Sequence, residues 1–245
     1  MEAIKERIIE YWEKRTHDFK EQRLRELSDL KRVRWEEELN KYIPKDRKLR
    51  VLDLGCGTGF LAMLFAAKGH QATGIDLTEH MIFHAKETAR ILGLEAEFLV
   101  MDAEQPDLEK ESFDVLVTRN LTWLLPNLGS AYKAWYDLLV PGGVLINFDA
   151  DYCQYTGEEI ELPENHAHKN LSDQMLSENN AITMELSAYQ EKRPQWDVGL
   201  LLEAGFDQIR IDTGIWNRIY REKDEFYNPQ KIFTLAAFKK TEQTP

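Results

Sequence analysis

The segment Val51-Leu52-Asp53-Leu54-Gly55-Cys56-Gly57-Thr58-Gly59-Phe60 constrains this chain more than any other. It reads as a short apolar strand with an acid near its end, followed by three alternating glycines that open a helix. Glycines let the backbone turn sharply and let a ligand come close to the main chain. A helix N-terminus adds N–H groups without partners, which suit a ligand carboxylate. The segment therefore predicts a strand–turn–helix unit with a ligand at its turn.

The sequence around it repeats that unit. Residues 49–54, 71–76, 97–100, 113–118 and 144–149 read as strands. Helices at 58–68, 78–92 and 130–140 lie between them, with Thr78 as an N-cap, Gly69 and Gly93 as stops, and Pro141-Gly142-Gly143 as a turn. Such alternation implies a mostly parallel sheet with helices on both faces and ligands at the carboxyl ends of its strands. A helix at 196–204 and strands at 207–212 and 232–238 follow, and the late strand pair fits an antiparallel edge. The expected fold is α/β: a Rossmann-like, doubly wound, mostly parallel seven-stranded sheet with an antiparallel last strand, a helical N-terminal cap and a lid insertion.

One domain over residues 1–245 is expected. Ile4, Ile8 and Ile9, then Leu24, Leu27, Leu30 and Val33, recur at helical spacing before Pro44, so 1–44 form the cap. Residues 45–150 form the ligand-binding core. The polar stretch 151–195 is the lid, with a helix near 171–186. Residues 196–245 complete the sheet.

At 245 residues and 43% hydrophobic, the chain can bury one such core. Its net charge of -12 repels polyanions, so duplex DNA and structured RNA are not expected partners, and a neutral or cationic small molecule is. No apolar run has the length of a membrane span, and the first residues alternate charge with Ile, unlike a secretory signal; a cytoplasmic protein is expected. Cys56 and Cys153 lack CxxC spacing, so neither a disulfide framework nor a metal site is expected. Monomer and homodimer both remain open.

The glycine loop alone leaves two cofactors open, because Gly57-Thr58-Gly59-Phe60-Leu61-Ala62 also satisfies the dinucleotide pattern GxGxxA. Asp53 just before the glycines suits an ammonium and opposes a pyrophosphate. Asp76 ends the second strand, placed to accept from both ribose hydroxyls under either reading. Met101-Asp102-Ala103 follows the third strand, where a carboxylate can accept from an adenine amino group. A short-chain dehydrogenase would need a helical YxxxK pair. The match Tyr227–Lys231 contains Pro229 and comes just before the last strand.

On these residues the chain resembles the class I S-adenosylmethionine-dependent methyltransferases, near the ubiquinone-biosynthesis-type and type 11-like enzymes. Leu138-Leu139-Val140-Pro141-Gly142-Gly143-Val144-Leu145 resembles that family's motif before the fifth strand. The resemblance covers residues 49–150. It implies S-adenosylmethionine as cofactor and S-adenosylhomocysteine as product, held by Asp53, Gly55, Cys56, Gly57, Gly59, Asp76, Leu77, Met81, Asp102, Ala103 and Asn120. It implies methyl transfer to an O, N, S or C nucleophile of a small molecule. Taken singly, Asp53 and Asp76 also suit capping of their own loops, and Asp102 an ordinary turn.

The fourth strand runs into Thr118-Arg119-Asn120-Leu121-Thr122-Trp123, which lacks the Asp/Asn-Pro-Pro-aromatic motif of methyltransferases acting on nucleobase amines. Displacement at a sulfonium methyl needs alignment and a dry site, with a base only where the nucleophile starts protonated. Tyr11, Asp149 and His166 are candidates for such a base. Tyr11, Trp12 and Arg15 from the cap, with Trp123, Asp151, Tyr152 and Trp216, are candidates for substrate contact, joined by Tyr155 and Tyr220. Trp123 and Trp216 equally suit core packing, and Tyr11 with Arg15 a solvated helix face. His166-Ala167-His168 suits a base, a metal pair or an exposed loop. A non-catalytic S-adenosylmethionine-binding protein and an NAD-dependent dehydrogenase are the competing readings.

Overall fold

A computed structural model describes residues 2–154, 162–164, 166, 171–187 and 190–241. The helices are α1 (Glu2–Ser28), α2 (Leu30–Leu39), α3 (Phe60–Ala67), α4 (Glu79–Leu92), α5 (Leu128–Leu138), α6 (Asp173–Ser187), α7 (Gln195–Ala204) and α8 (Ile215–Ile219). The strands are β1 (Arg50–Leu54), β2 (Gln71–Asp76), β3 (Ala96–Val100), β4 (Phe113–Arg119), β5 (Leu139–Asp149), β6 (Gln208–Asp212) and β7 (Phe233–Phe238). They form one seven-stranded sheet in the order β3-β2-β1-β4-β5-β7-β6. β1 to β5 pair in parallel, and β7 runs antiparallel to both β5 and β6. The α/β alternation read from the sequence is therefore this sheet, with β7 slotted inside β6. Chain direction across the sheet reverses its order between β1 and β4, the place where such sheets open a crevice.

Alternation along each strand feeds two cores. Val51 packs with Trp35, Phe60, Phe65, Phe98 and Phe148 on one face, while Leu52 and Leu54 pack with Leu116, Tyr132, Trp135 and Phe206 on the other. A third cluster lies above the crevice, where Ile4 and Tyr11 of α1 meet Trp123, Leu124, Ile182 and Leu186. That cluster fastens α1 and α6 over the strand ends.

Several local details differ from the sequence reading. The helical pattern of the N-terminal segment divides at Asp29, whose side chain accepts the Lys31 N–H at 2.8 Å and so starts α2. Thr78 occupies the N-cap of α4, but its side chain makes no capping bond; Asp76 Oδ1 accepts the Thr78 N–H at 2.9 Å instead. β5 begins at Leu139 and takes in Pro141-Gly142-Gly143, with Gly142 at φ +79 and a register shift opposite Phe113. α8 carries only five residues, too few for periodicity to reveal. Among the described residues no helix is long and apolar enough to cross a membrane.

Candidate functional site

A cavity of about 820 Å³ lies at the carboxyl ends of β1, β2 and β4, with α1 and α6 also contributing to its wall. The glycine loop forms one end. Gly55, Gly57 and Gly59 hold φ of +61, +52 and +86, values that only glycine adopts freely. Their surroundings differ. A Cβ on Gly55 would stand 2.6 Å from Leu121, and one on Gly59 2.8 Å from the Phe98 ring. A Cβ on Gly57 would meet nothing within 4 Å, because that backbone opens onto the cavity. Gly57 is thus the point of closest approach for a ligand. Gly59, expected at the cofactor, is not on the wall and serves the packing of the loop against β3 instead. Cys56 is buried, and its N–H reaches Ile75 O at 2.9 Å, tying the loop to β2.

Two carboxylates flank that loop. Asp53 is almost fully buried at the end of β1 and accepts the Ala62 N–H of α3 at 2.9 Å through Oδ2. It steadies the first turn of α3 and faces the cavity as well. Burial, opposed by that one bond and reinforced by the Asp76 charge, pushes its carboxyl up to about 8. Asp76, at the end of β2, accepts the Gly57 N–H through Oδ2 and the Thr78 N–H through Oδ1, each at 2.9 Å. Each oxygen keeps a lone pair for a hydroxyl. Thr58 Oγ1 is buried without a hydrogen-bond partner among the described residues, beside the N-terminus of α3. An unpaired donor, an open Gly57 backbone and a buried acid fit a ligand carrying an ammonium, a carboxylate and a vicinal diol.

Further along, Leu77, Met81, Asp102, Ala103 and Leu121 continue the wall. Asp102 Oδ1 accepts the Glu104 N–H at 2.8 Å, and its Oδ2 accepts from Lys5 Nζ of α1 at 2.8 Å. Lys5 also lies 3.0 Å from Glu104, so the cap is latched at this end by an ion pair. Beyond β4, Asn120 takes the left-handed φ of +57 and gives its N–H to Phe148 O at 2.8 Å. Its Oδ1 accepts from Tyr152 Oη at 3.1 Å, and its carbonyl accepts from Trp123 Nε1 at 3.1 Å. Asn228 Nδ2 in turn donates to Tyr152 Oη at 2.9 Å. Asn120, Trp123 and Tyr152 therefore form one braced corner of the wall.

Residues 51–143 match the family model described as methyltransferase domain. Over that stretch the chain is similar to S-adenosylmethionine-dependent methyltransferases. A ubiquinone biosynthesis O-methyltransferase of Stutzerimonas stutzeri is 33% identical over 139 residues, which cover 56% of this chain and 57% of that protein. The chain thus spans little more than half the length of that relative. Two solved structures share the fold. A methyltransferase of Mesorhizobium loti covers 83% of this chain and 96% of its own at a TM-score of 0.60 and 17% identity. Phosphoethanolamine N-methyltransferase 2 of Haemonchus contortus, in complex with S-adenosyl-L-methionine, covers 83% of this chain and 51% of its own at 0.58 and 19%.

Several residues expected at the site lie elsewhere. Asp149 is fully buried and off the cavity wall. It accepts from Thr122 Oγ1, from the Trp123 N–H at 3.0 Å, from Arg193 Nη1 at 3.3 Å and from the Ala150 N–H at 2.8 Å. Off the wall and held by four donors in the core, it is not presented to a bound substrate, which corrects its candidacy as a base. Arg193 also pairs with Asp197, which accepts from Tyr132 Oη at 2.6 Å, so Asp149 belongs to a buried ionic network under the loop. Asp151 accepts the Arg193 N–H at 3.2 Å and is likewise off the wall. Arg193 sits in this network, so the end of the expected lid is anchored in the core.

Tyr11 accepts from Arg15 Nη1 at 3.1 Å, and both are buried in the cap rather than on the wall. Trp12, between them, does face the cavity. Trp216 packs against Tyr227 and donates to Asn228 O at 2.7 Å, a core role that positions the Asn228 loop. His166 is buried on the wall, with Nε2 donating to Tyr227 O at 2.7 Å. Burial lowers its pKa and keeps the ring neutral. Ala167, His168 and Tyr155 lie outside the described residues.

Sequence reasoning passed over Arg23, Glu26, Arg119 and Thr58. Arg119 and Arg23 are on the wall, both paired to the buried Glu26. Position directly before Asn120 was the available signal for Arg119. Arg23 and Glu26 fall on a helix face that looks solvated in sequence alone.

Proposed function

We propose that the protein transfers the methyl group of S-adenosylmethionine to a nucleophile of a small molecule held between the glycine loop and α6. The observation that carries this reading is Gly57: an open left-handed backbone flanked by the buried Asp53 and the half-buried Asp76. Asp53 would take the cofactor's ammonium, Thr58 and the N-terminus of α3 its carboxylate, Asp76 its ribose hydroxyls, and Asp102 its adenine amino group. The bound cofactor supplies an electrophilic sulfonium methyl. Asn120, Trp123 and Tyr152 brace the wall beside the acceptor, while α1 and α6 exclude water. His166 is the remaining candidate for a base, since Asp149 and Tyr11 both lie off the cavity wall. Helix α6, within the stretch 151–195, acts as the lid over this site. The same reading makes the acceptor a small molecule rather than a nucleic acid, which the net charge of -12 supports, and sets the reaction in the cytoplasm.

The test is turnover. Protein supplied with S-adenosylmethionine and panels of phenols, amines and thiols should form S-adenosylhomocysteine above the acceptor-free rate with at least one panel. Tight cofactor binding with no acceptor-dependent product across all panels would favour a non-catalytic binding protein.

A further inference from the structure

Among the described residues, the cavity end formed by Arg23 and Arg119 holds more positive than negative charge. Glu26 is fully buried, and Arg119 donates to its two oxygens at 3.0 and 3.2 Å. Arg23 Nη1 donates to Glu26 Oε2, and Trp35 Nε1 to Oε1 at 3.0 Å. Burial alone would push the Glu26 carboxyl up, yet Arg119 and Arg23 hold it down at about 2. One carboxylate therefore serves two guanidinium groups. Tyr220 Oη also accepts from Arg119 Nη2 at 3.3 Å. Arg119 Nε is buried with no hydrogen-bond partner among the described residues.

Among the described residues no carboxylate on the cavity wall is hydrogen-bonded or ion-paired to either guanidinium, although Asp53 feels the Arg119 charge at longer range. The described lining carboxylates are Asp53, Asp76 and Asp102, all at the end assigned to the cofactor. Helix α1 sets the separation. Lys5 pairs with Asp102 at one end, and Gln22 donates to Glu225 O at 2.7 Å near the other. Arg23 thus stands roughly 27 Å along the helix axis from Lys5, at about 1.5 Å per residue. Aromatic faces surround the pair: Arg119 lies 5.1 Å from the Phe60 ring centre and Arg23 5.5 Å from that of Phe19.

We propose that Arg23 and Arg119 seat an anionic group of the methyl acceptor, a carboxylate carried on a planar or aromatic body. The proposal rests on the methyl-transfer reading and gives it a substrate class. A guanidinium fork is weakly hydrated and matches a carboxylate with two parallel bonds, and aromatic walls favour a flat body. An unmatched cation in a largely enclosed wall is costly, and an incoming anion removes that cost. The overall charge of -12 acts at the surface; the acceptor, once inside, meets the local charge.

Benzoate and benzamide test the proposal, since they share shape and differ in charge. Each is titrated calorimetrically into protein saturated with S-adenosylhomocysteine. The wild type should bind benzoate at least tenfold more tightly. Arg23→Gln leaves the Arg119–Glu26 pair matched; it should abolish the preference and keep the affinity for S-adenosylhomocysteine within twofold. Equal affinity of the wild type for the two probes, or binding of neither, overturns the proposal without any variant. So does a preference retained in Arg23→Gln. If Arg23→Gln instead weakens S-adenosylhomocysteine while sparing its decarboxylated analogue, the pair belongs to the cofactor, and the proposal also falls. Should the wild type bind no S-adenosylhomocysteine, the methyl-transfer reading fails, and benzoate against benzamide on the bare protein still decides the anion seat.

Discussion

The two ends of the cavity are built by different means. At the glycine end, Asp53, Gly55, Gly57 and Asp76 sit on two adjacent strands and the turn between β1 and α3, and backbone N–H groups satisfy both acids. At the opposite end, Arg23, Glu26, Arg119 and Tyr220 come from α1, β4 and the turn after α8, and side chains satisfy one another. Local chain geometry sets the first end. Tertiary packing sets the second. The contrast extends to two acids at strand ends, those of β1 and β5: Asp53 has one hydrogen-bond donor and faces the cavity, whereas Asp149 has four and does not. Burial alone does not separate them, and partner count does.

The largest expected effect breaks the buried network and spares the glycine end. Arg193→Met leaves Asp149 and Asp197 buried without their cation, and should cost about 3–5 kcal/mol of stability by denaturant unfolding. Cofactor affinity of the folded fraction should stay within a few-fold. A large loss of affinity at unchanged stability would mean that Asp149 serves the ligand directly.

Gly57→Val attacks the glycine end in the complementary way. Nothing stands within 4 Å of the added Cβ, so the fold should survive with modest strain from φ +52. Binding of S-adenosylmethionine should fall by roughly a hundredfold, or about 2.7 kcal/mol. Near-normal affinity would remove Gly57 from the ligand contact.

Asp53 gives a smaller, pH-dependent effect. Its folded carboxyl titrates near 8 against an ordinary 3.8, so the folded state holds a proton that the unfolded state has lost. Its contribution to stability is complete below pH 4 and is lost as pH rises toward 8. An ammonium ligand prefers the ionised form, so cofactor affinity should weaken by up to about tenfold per unit as pH falls from 8 to 6. In Asp53→Asn that dependence should flatten. An identical pH profile in variant and wild type would place the ammonium elsewhere.

The smallest effect concerns the latch. Lys5 and Asp102 are partly exposed, so Lys5→Met should change stability by no more than about 1 kcal/mol. It should also speed cofactor dissociation, measured by stopped-flow, if the ion pair holds α1 closed.

The same contrast explains what could be read from sequence. Strand alternation, the glycine spacing and the acids after β1, β2 and β3 are local signals, and they place the sheet and the cofactor end. Gly59 shows the limit: the pattern marks a glycine, but only the Phe98 ring reveals that packing requires it. Asp149 is a candidate in sequence because it ends the fifth strand beside the expected methyl; Arg193, forty-four residues later, ties it into the core instead. Arg23 and Glu26 read as a charged helix face until β4 brings Arg119 against them. Chemistry formed by residues distant in sequence leaves no short-range pattern.

Calorimetric titration with S-adenosylmethionine, S-adenosylhomocysteine and NADH, side by side on the wild type, tests the central claim most directly. Binding of both adenosyl compounds and not of NADH is the predicted result. Binding of NADH alone would contradict it and return the glycine loop to the dinucleotide reading of Gly57–Ala62.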